Sequence, residues 1–367
     1  MIPYGHQTID QDDIKAVLEV LKSDWLTQGP KVLEFEKKLT KYCGAKYAVA
    51  VANGTSALHL AYLAGSIKKG DEVITTPNTF VATTNMLLVV GARPVFCDIR
   101  LDTYNIDEKK IEGLITKNTK AIVPVHVAGH SCEMKEILRI AEKYNLLVIE
   151  DACHALGAEY NGKKIGSLFS DMTVFSFHPI KPITTGEGGA VVTNNNIYYE
   201  RLKLLRNHGI TKNEEGVNIM TELGFNYRLT DLQSALGLSQ LAKINKFIQR
   251  RGKIVALYSE LLSDIKGIIT PSESENVKSS WHLYIIRVKK EEDRDKLVDY
   301  LKQNGVTALS HYPCIYNHPY YKRIGYNDLK LSNEDLYSKT CLTIPCFPLL
   351  REKHVQYIAK LIKNYFK

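Results

Sequence analysis

Leu146-Leu-Val-Ile-Glu-Asp-Ala-Cys-His154 is an apolar run that ends on two carboxylates, and its reading sets the fold class. Consecutive apolar side chains without polar alternation suit a strand covered on both faces. Asp151 then stands at the carboxyl end of a buried strand. A carboxylate there must find a partner, because burying it unpaired is costly. Runs of the same kind recur at Tyr47–Ala52, Glu72–Thr75, Pro94–Ile99, Ala121–Val125, Met172–Phe177 and Ala190–Thr193. Helical patterns fall between them at Ser56–Gly65, Val81–Val90, Glu108–Ile115 and Glu133–Tyr144. This alternation predicts an α/β fold with a large domain built on a mainly parallel, seven-stranded sheet.

After Thr193 the pattern changes. Ile197–Asn207 reads as helix, Ile210–Asn218 as a polar loop, and Leu229–Leu262 as one long helix broken near Gly252. Strand Trp281–Val288 and helices Glu292–Asn304 and Lys353–Lys367 follow. The expected division is a large domain over residues 1–245 and a smaller C-terminal α/β domain over 246–367. A chain of 367 residues exceeds what one compact core usually holds. Its formal net charge of +8 is spread among acidic residues, which argues against a nucleic-acid stripe and suits an anionic small substrate equally well. The seven cysteines are scattered without a CxxC pair, the first residues lack a signal-peptide pattern, and no apolar run could span a bilayer. A reduced, cytoplasmic protein with no membrane contact is the expectation.

In open α/β sheets ligands sit beyond the carboxyl ends of the strands, and three polar groups stand there. Asn53-Gly54-Thr55-Ser56 follows the first strand; free N–H groups and hydroxyls at a helix start suit a phosphate, although an ordinary capped helix looks the same. Asp151 is the second; its partner could be a cationic ring nitrogen, an arginine or a loop N–H. The third is Phe175-Ser-Phe-His-Pro-Ile-Lys-Pro-Ile-Thr-Thr-Gly-Glu-Gly-Gly189. Pro179 and Pro182 restrain the backbone around Lys181, and the glycines allow a tight reversal into the next strand. Most lysines are merely solvated. An amine meant for a Schiff base must be partly unprotonated and held in place, which a rigid apolar loop favours. Phosphate cradle, strand-end carboxylate and rigid lysine together are the parts of a pyridoxal-phosphate (PLP) enzyme.

The chain resembles the DegT/DnrJ/EryC1 family of PLP-dependent sugar-nucleotide aminotransferases over nearly its whole length. The stretches that carry the resemblance are NGTSALHLA (53–61), TPNTFVATTNM (76–86), EDACHALGAEY (150–160), FSFHPIKPITTGEGGAVVTN (175–194), LRNHG (205–209) and GFNYRLTDLQSALGLSQL (224–241). The resemblance implies PLP fold type I, the aspartate-aminotransferase-like fold. It implies Lys181 as the Schiff-base lysine, Asp151 as partner of the pyridine nitrogen, Gly54, Thr55 and Ser176 around the phosphate, Phe80 against the ring face and His154 near the ring. Asn226 is expected to reach the phosphate from the neighbouring subunit of a homodimer with shared active sites. Tyr4, Asp24, Trp25, Leu26 and Thr27, Gly54, and His311, Tyr312, Pro313 and Cys314 are expected to border the nucleotide-sugar. Within the family, SDWLTQGPKVLEFE (23–36), HPIKPITTGEGG (178–189) and SALGLSQL (234–241) are most similar to transaminases that form UDP-4-amino-4,6-dideoxy-N-acetyl-β-L-altrosamine, a precursor of pseudaminic acid. The implied reaction moves an amino group from L-glutamate to C4 of a UDP-linked 4-keto-6-deoxy-2-acetamido sugar.

His126, His130 and Cys132 lack the helical i, i+4 spacing of paired metal ligands and have no second cluster, so no metal is expected. Tyr312, Tyr316, Tyr320 and Tyr321 occur without a basic stripe, so nucleic-acid stacking is not expected either. A sister aminotransferase acting on a D-gluco or a dTDP- or GDP-linked sugar is the runner-up. A deoxysugar dehydratase of the kind that carries histidine in place of the lysine is opposed by Lys181. A non-catalytic regulatory homologue is opposed by the intact Lys181, Asp151 and phosphate residues.

Overall fold

The computed structural model describes residues 1–167 and 169–367. Its central sheet has seven strands: β1 Tyr47–Val51, β2 Glu72–Thr75, β3 Arg93–Phe96, β4 Thr119–Val123, β5 Leu147–Asp151, β6 Met172–Ser176 and β7 Gly189–Thr193. They lie in the order β1-β7-β6-β5-β4-β2-β3. Strand β7 runs antiparallel to both β1 and β6, and every other pairing is parallel.

The unbroken apolar runs are explained by two covered faces. Ala48 and Ala50 pack with Val148, Phe175 and Val192 in one cluster, with helices Pro30–Cys43 and Met134–Tyr144 over them. Val49 and Val51 turn the other way and pack with Ile149, Val174 and Val191 under helices Gly54–Ala64 and Asn196–Arg206. With period-two side chains, both registers of β1, β5, β6 and β7 are buried along nearly their whole length, so no polar alternation survives there in the sequence, whereas edge strand β3 leaves Arg93 exposed and Val95 half-buried.

Helix Asp231–Leu262 is 32 residues long, about 48 Å at the usual rise. It starts with a capping box between Thr230 and Gln233. It is continuous through Gly252, contrary to the expected break: its N-terminal half packs Leu241, Ile244 and Phe247 on the large sheet, and its C-terminal half packs Ile254, Tyr258 and Leu262 in a second core. Burial at both ends outweighs the roughly 1 kcal/mol helix cost of one glycine. The second core also holds the antiparallel strands β8 Ile268–Ile269, β9 Tyr284–Val288 and β10 Cys341–Ile344 and helices Glu291–Gln303 and Glu352–Tyr365. We propose that the two lobes divide inside the long helix, between Phe247 and Ile254. The first residues join the smaller lobe, since Ile2 N–H donates to Gly305 O at 2.7 Å and Ile2 O accepts from Thr307 N at 2.9 Å.

The stretch read as a polar loop forms a two-stranded ribbon instead, Ile210–Lys212 against Asn218–Met220. Its polar composition reflects exposure of both strands, and Gly216 at φ +79° makes the turn. The Trp25–Pro30 segment leads into helix Pro30–Cys43, with Gly29 as N-cap and Pro30 in the first turn. Asp231 caps that helix from outside it, accepting from the N–H groups of Gly29 (3.0 Å), Lys31 (3.2 Å) and Val32 (3.0 Å).

Candidate active site

A cavity of about 530 Å³ opens at the carboxyl ends of β1, β2, β5 and β6. It brings together Tyr4, Gly54, Thr55, Phe80, Asp151, His154, Ser176, Lys181, His311 and Tyr312 out of the residues expected from sequence.

At one end stands the turn after β1. Asn53 Oδ1 accepts from Ser56 N (2.8 Å) and Ser56 Oγ (2.9 Å), and Asn53 O accepts from Ala57 N (3.1 Å). The N–H groups of Gly54 and Thr55 have no acceptor among the described residues. A Cβ on Gly54 would lie 3.0 Å from Ser176 Cβ and 3.3 Å from Cys153 Sγ, so a side chain there would crowd the strand ends. Bare N–H groups at a helix start, with a serine hydroxyl opposite, form a ready anion site.

Asp151 is the last residue of β5 and is buried. Its Oδ2 accepts from Thr83 Oγ1 at 2.7 Å and its Oδ1 from Cys153 N–H at 3.1 Å. Thr83 spends its one proton on Asp151, so in its 2.7 Å contact with Thr79 it accepts and Thr79 donates. Both carboxylate oxygens are thereby held by hydrogen bonds, and Asp151 lines the cavity.

Lys181 rides on the loop between β6 and β7. That loop is closed at its base by Phe177 N–H to Gly188 O (2.8 Å) and Thr185 N–H to Phe177 O (3.0 Å), and a turn links Lys181 N–H to His178 O (2.9 Å). Burial pulls the Lys181 ammonium below the usual lysine range, opposed by the nearby Cys153 and Asp151. A lysine whose proton is easier to remove than usual is closer to a nucleophilic amine.

Aromatic side chains wall the opening. Phe80 is exposed toward it and lies 6.1 Å from the Tyr312 ring, centroid to centroid. Tyr4 and His311 pair at 5.2 Å, and His311 Nδ1 lies 2.9 Å from Thr343 Oγ1. Burial, with Lys181 adding to it, lowers His311 to about 4. His154 is buried against His282, 4.5 Å away, and its Nε2 lies 2.9 Å from Tyr312 Oη.

Other expected residues stand apart from the cavity. Asn226 is exposed and bridges Asn207. Asp24, Trp25, Leu26 and Thr27 are exposed on the segment before helix Pro30–Cys43. Pro313 is exposed, while Cys314 turns inward to pack with Phe96, Tyr316 and Tyr321. Conversely, Thr79, Thr83, His178, Ile180 and Glu187 line the cavity without having been singled out. Thr83 carried one signal, its place in the TPNTFVATTNM stretch. The HVAGHSC side chains serve internal bonds: His126 Nε2 to Glu150 (2.8 Å), His130 Nε2 with Ser274 N (3.2 Å), and Cys132 Sγ to Val125 O (3.2 Å).

The chain matches the DegT/DnrJ/EryC1/StrS aminotransferase family over residues 7–363. It belongs to that family. A Campylobacter jejuni UDP-4-amino-4,6-dideoxy-N-acetyl-β-L-altrosamine transaminase is 44% identical over 98% of this chain and 96% of its own. The structure of Helicobacter pylori PseC, an aminotransferase involved in the biosynthesis of pseudoaminic acid, superposes with a TM-score of 0.95 at 39% identity, covering 100% of this chain and 99% of that one. The PLP form of the putative sugar aminotransferase Spr1654 from Streptococcus pneumoniae gives 0.94 at 30% identity, covering 99% and 98%. The protein is thus a PLP-dependent aminotransferase of fold type I. The residues present fit the cofactor: an amine on a closed loop, a hydrogen-bonded carboxylate and a bare helix start are groups that could meet an aldehyde, a ring nitrogen and a phosphate. No helix among the described residues is long and apolar enough to cross a membrane.

Proposed function

We propose that this aminotransferase moves the amino group of L-glutamate to C4 of UDP-2-acetamido-2,6-dideoxy-β-L-arabino-hex-4-ulose, giving UDP-4-amino-4,6-dideoxy-N-acetyl-β-L-altrosamine and 2-oxoglutarate. The observation that carries the chemistry is Lys181, an amine held below its ordinary pKa on a closed loop in the same cavity as Asp151. The choice of sugar is supported by full-length similarity to the altrosamine transaminases of Campylobacter jejuni and Helicobacter pylori, 44% and 40% identical.

Bound PLP would supply an aldehyde for the amine and a ring that takes up electron density. Lys181 would hold the cofactor, and its amine would move the proton off Cα of the donor. Asp151, fixed by Thr83 and Cys153 N–H, keeps the ring nitrogen protonated. Gly54, Thr55 and Ser176 would take the phosphate, Phe80 would cover the ring face and His154 would stand beside the ring. Tyr4, His311 and Tyr312 border the sugar. Asp24 to Thr27, Pro313, Cys314 and Asn226 stand off the cavity of their own chain. In this reading a homodimer completes the site, with Asn226 reaching the partner's phosphate.

The test offers purified protein, PLP and glutamate a panel of UDP-, dTDP- and GDP-linked 4-keto sugars and identifies the products by NMR. The L-arabino substrate should be preferred. Preference for a D-gluco or non-UDP sugar overturns the substrate and leaves amino transfer standing; a dehydrated product overturns both.

A further inference from the structure

We propose that the Tyr312 hydroxyl is a directed hydrogen-bond donor aimed into the cavity, where it meets an electron-rich oxygen: the phenolic oxygen on the cofactor's pyridine ring or the keto oxygen of the acceptor sugar. The inference rests on the reading of this cavity as the cofactor and sugar site.

The direction follows from counting protons. Ala128 N–H donates to His154 Nδ1 at 3.3 Å, so that nitrogen presents its lone pair. The N–H is held there by backbone that cannot easily turn away. Ala128 sits at φ +58° and Gly129 at +94°, and a Cβ on Gly129 would meet Ser280 Oγ at 2.2 Å. Burial, then Lys181 and His311, keep His154 well below the ordinary histidine range. The imidazole is neutral, and its single proton is on Nε2. That proton is donated to Tyr312 Oη at 2.9 Å. Tyr312 must therefore accept from His154, and its own proton points elsewhere. Among the described residues that hydroxyl has no other partner. Burial, then Asp151 and Cys153, push the phenol well above the usual tyrosine range, so the proton stays on. The Tyr312 N–H is tied to Asn78 Oδ1 at 3.3 Å, and the ring stands against Phe80 and lines the cavity with Asp151 and Lys181.

Tyr312→Phe keeps the ring and removes only the donor. In the holoenzyme, the absorption maximum of bound PLP is recorded, and the glutamate and keto-sugar half-reactions are timed separately in single turnovers. A donor serving the cofactor oxygen shifts the maximum and slows both half-reactions. A donor serving the sugar ketone leaves the maximum in place and slows the keto-sugar half-reaction alone, by about tenfold for one hydrogen bond. An unchanged maximum with both half-reactions within about twofold of wild type overturns the proposal. On the unmodified protein, ¹⁵N shifts should show His154 protonated at Nε2 and bare at Nδ1, and the reverse tautomer refutes the proton count whatever the variant does. A wild-type protein that takes up no PLP overturns the cavity assignment and this donor with it.

Discussion

Replacing Asp151 by Asn isolates charge from shape at the strand end. The side chain has two fixed contacts, Thr83 Oγ1 at 2.7 Å and Cys153 N–H at 3.1 Å. An asparagine can keep both. Its oxygen accepts from Cys153, and its NH₂ faces Thr83, whose hydroxyl can turn round and donate back to Thr79. The fold should therefore survive, with the thermal midpoint close to wild type. What is lost is the negative charge held toward the ring nitrogen. Hydrogen bonds to charged groups are worth about 1.5–3 kcal/mol, so the variant should lose about 10- to 150-fold in the step that needs a protonated ring. The assay is the glutamate half-reaction followed by loss of the long-wavelength absorbance of bound PLP, with cofactor affinity measured in parallel. A half-reaction as fast as wild type at full cofactor occupancy would refute the reasoning. Thr83→Val is the control: it keeps the charge but loosens its support, and should cost less than Asp151→Asn.

Lys181→Ala should still bind PLP, though no longer resistant to dialysis, and should lose about 10²–10⁴-fold in turnover from the missing proton carrier; near-normal turnover counts against the assignment. Mixing Lys181→Ala chains with chains inactivated at Asn226 should restore part of the activity, because one heterodimer site is then wild type, whereas a fully active monomer in sedimentation would end the shared-site proposal. Asp231→Ala should lower unfolding stability by about 1–3 kcal/mol, since three N–H groups at the start of helix Pro30–Cys43 lose their acceptor; an unchanged thermal midpoint would show that water replaces the cap freely.

The sequence told most where one residue type alone meets a need. Prolines around a lysine and an acid closing an apolar run carry their geometry in their chemistry, so Lys181 and Asp151 were readable at the strand ends. Thr83 was not, because its role depends on the helix turn that places it behind β5, and a threonine in TTNM looks ordinary. Cys314 could not be placed from its neighbours: His311 and Tyr312 face the cavity while the chain turns at Pro313 and sends the thiol into an aromatic cluster. The central strands were recoverable because they bury both faces, and edge strand β3 because Pro94 and Phe96 are buried, whereas the ribbon at 210–220 buries neither face and left no apolar signature.

The reversed strand β7 has a topological effect on the lysine. A parallel neighbour to β6 would have required a crossover that re-enters the sheet at its opposite edge, carrying the chain away from the cavity. Because β7 returns antiparallel, the segment from Phe177 to Gly188 is a hairpin loop with both feet on adjacent strands, and closing so short a loop costs little chain entropy. The same reversal sets Gly189 beside the end of β1, where a Cβ would stand 2.6 Å from Asn53 O and 2.8 Å from Gly54 N. One change of direction in an otherwise parallel sheet thus moors the lysine loop and the bare helix start to each other through the backbone, so amine and anion site keep a fixed separation whatever the side chains between them do.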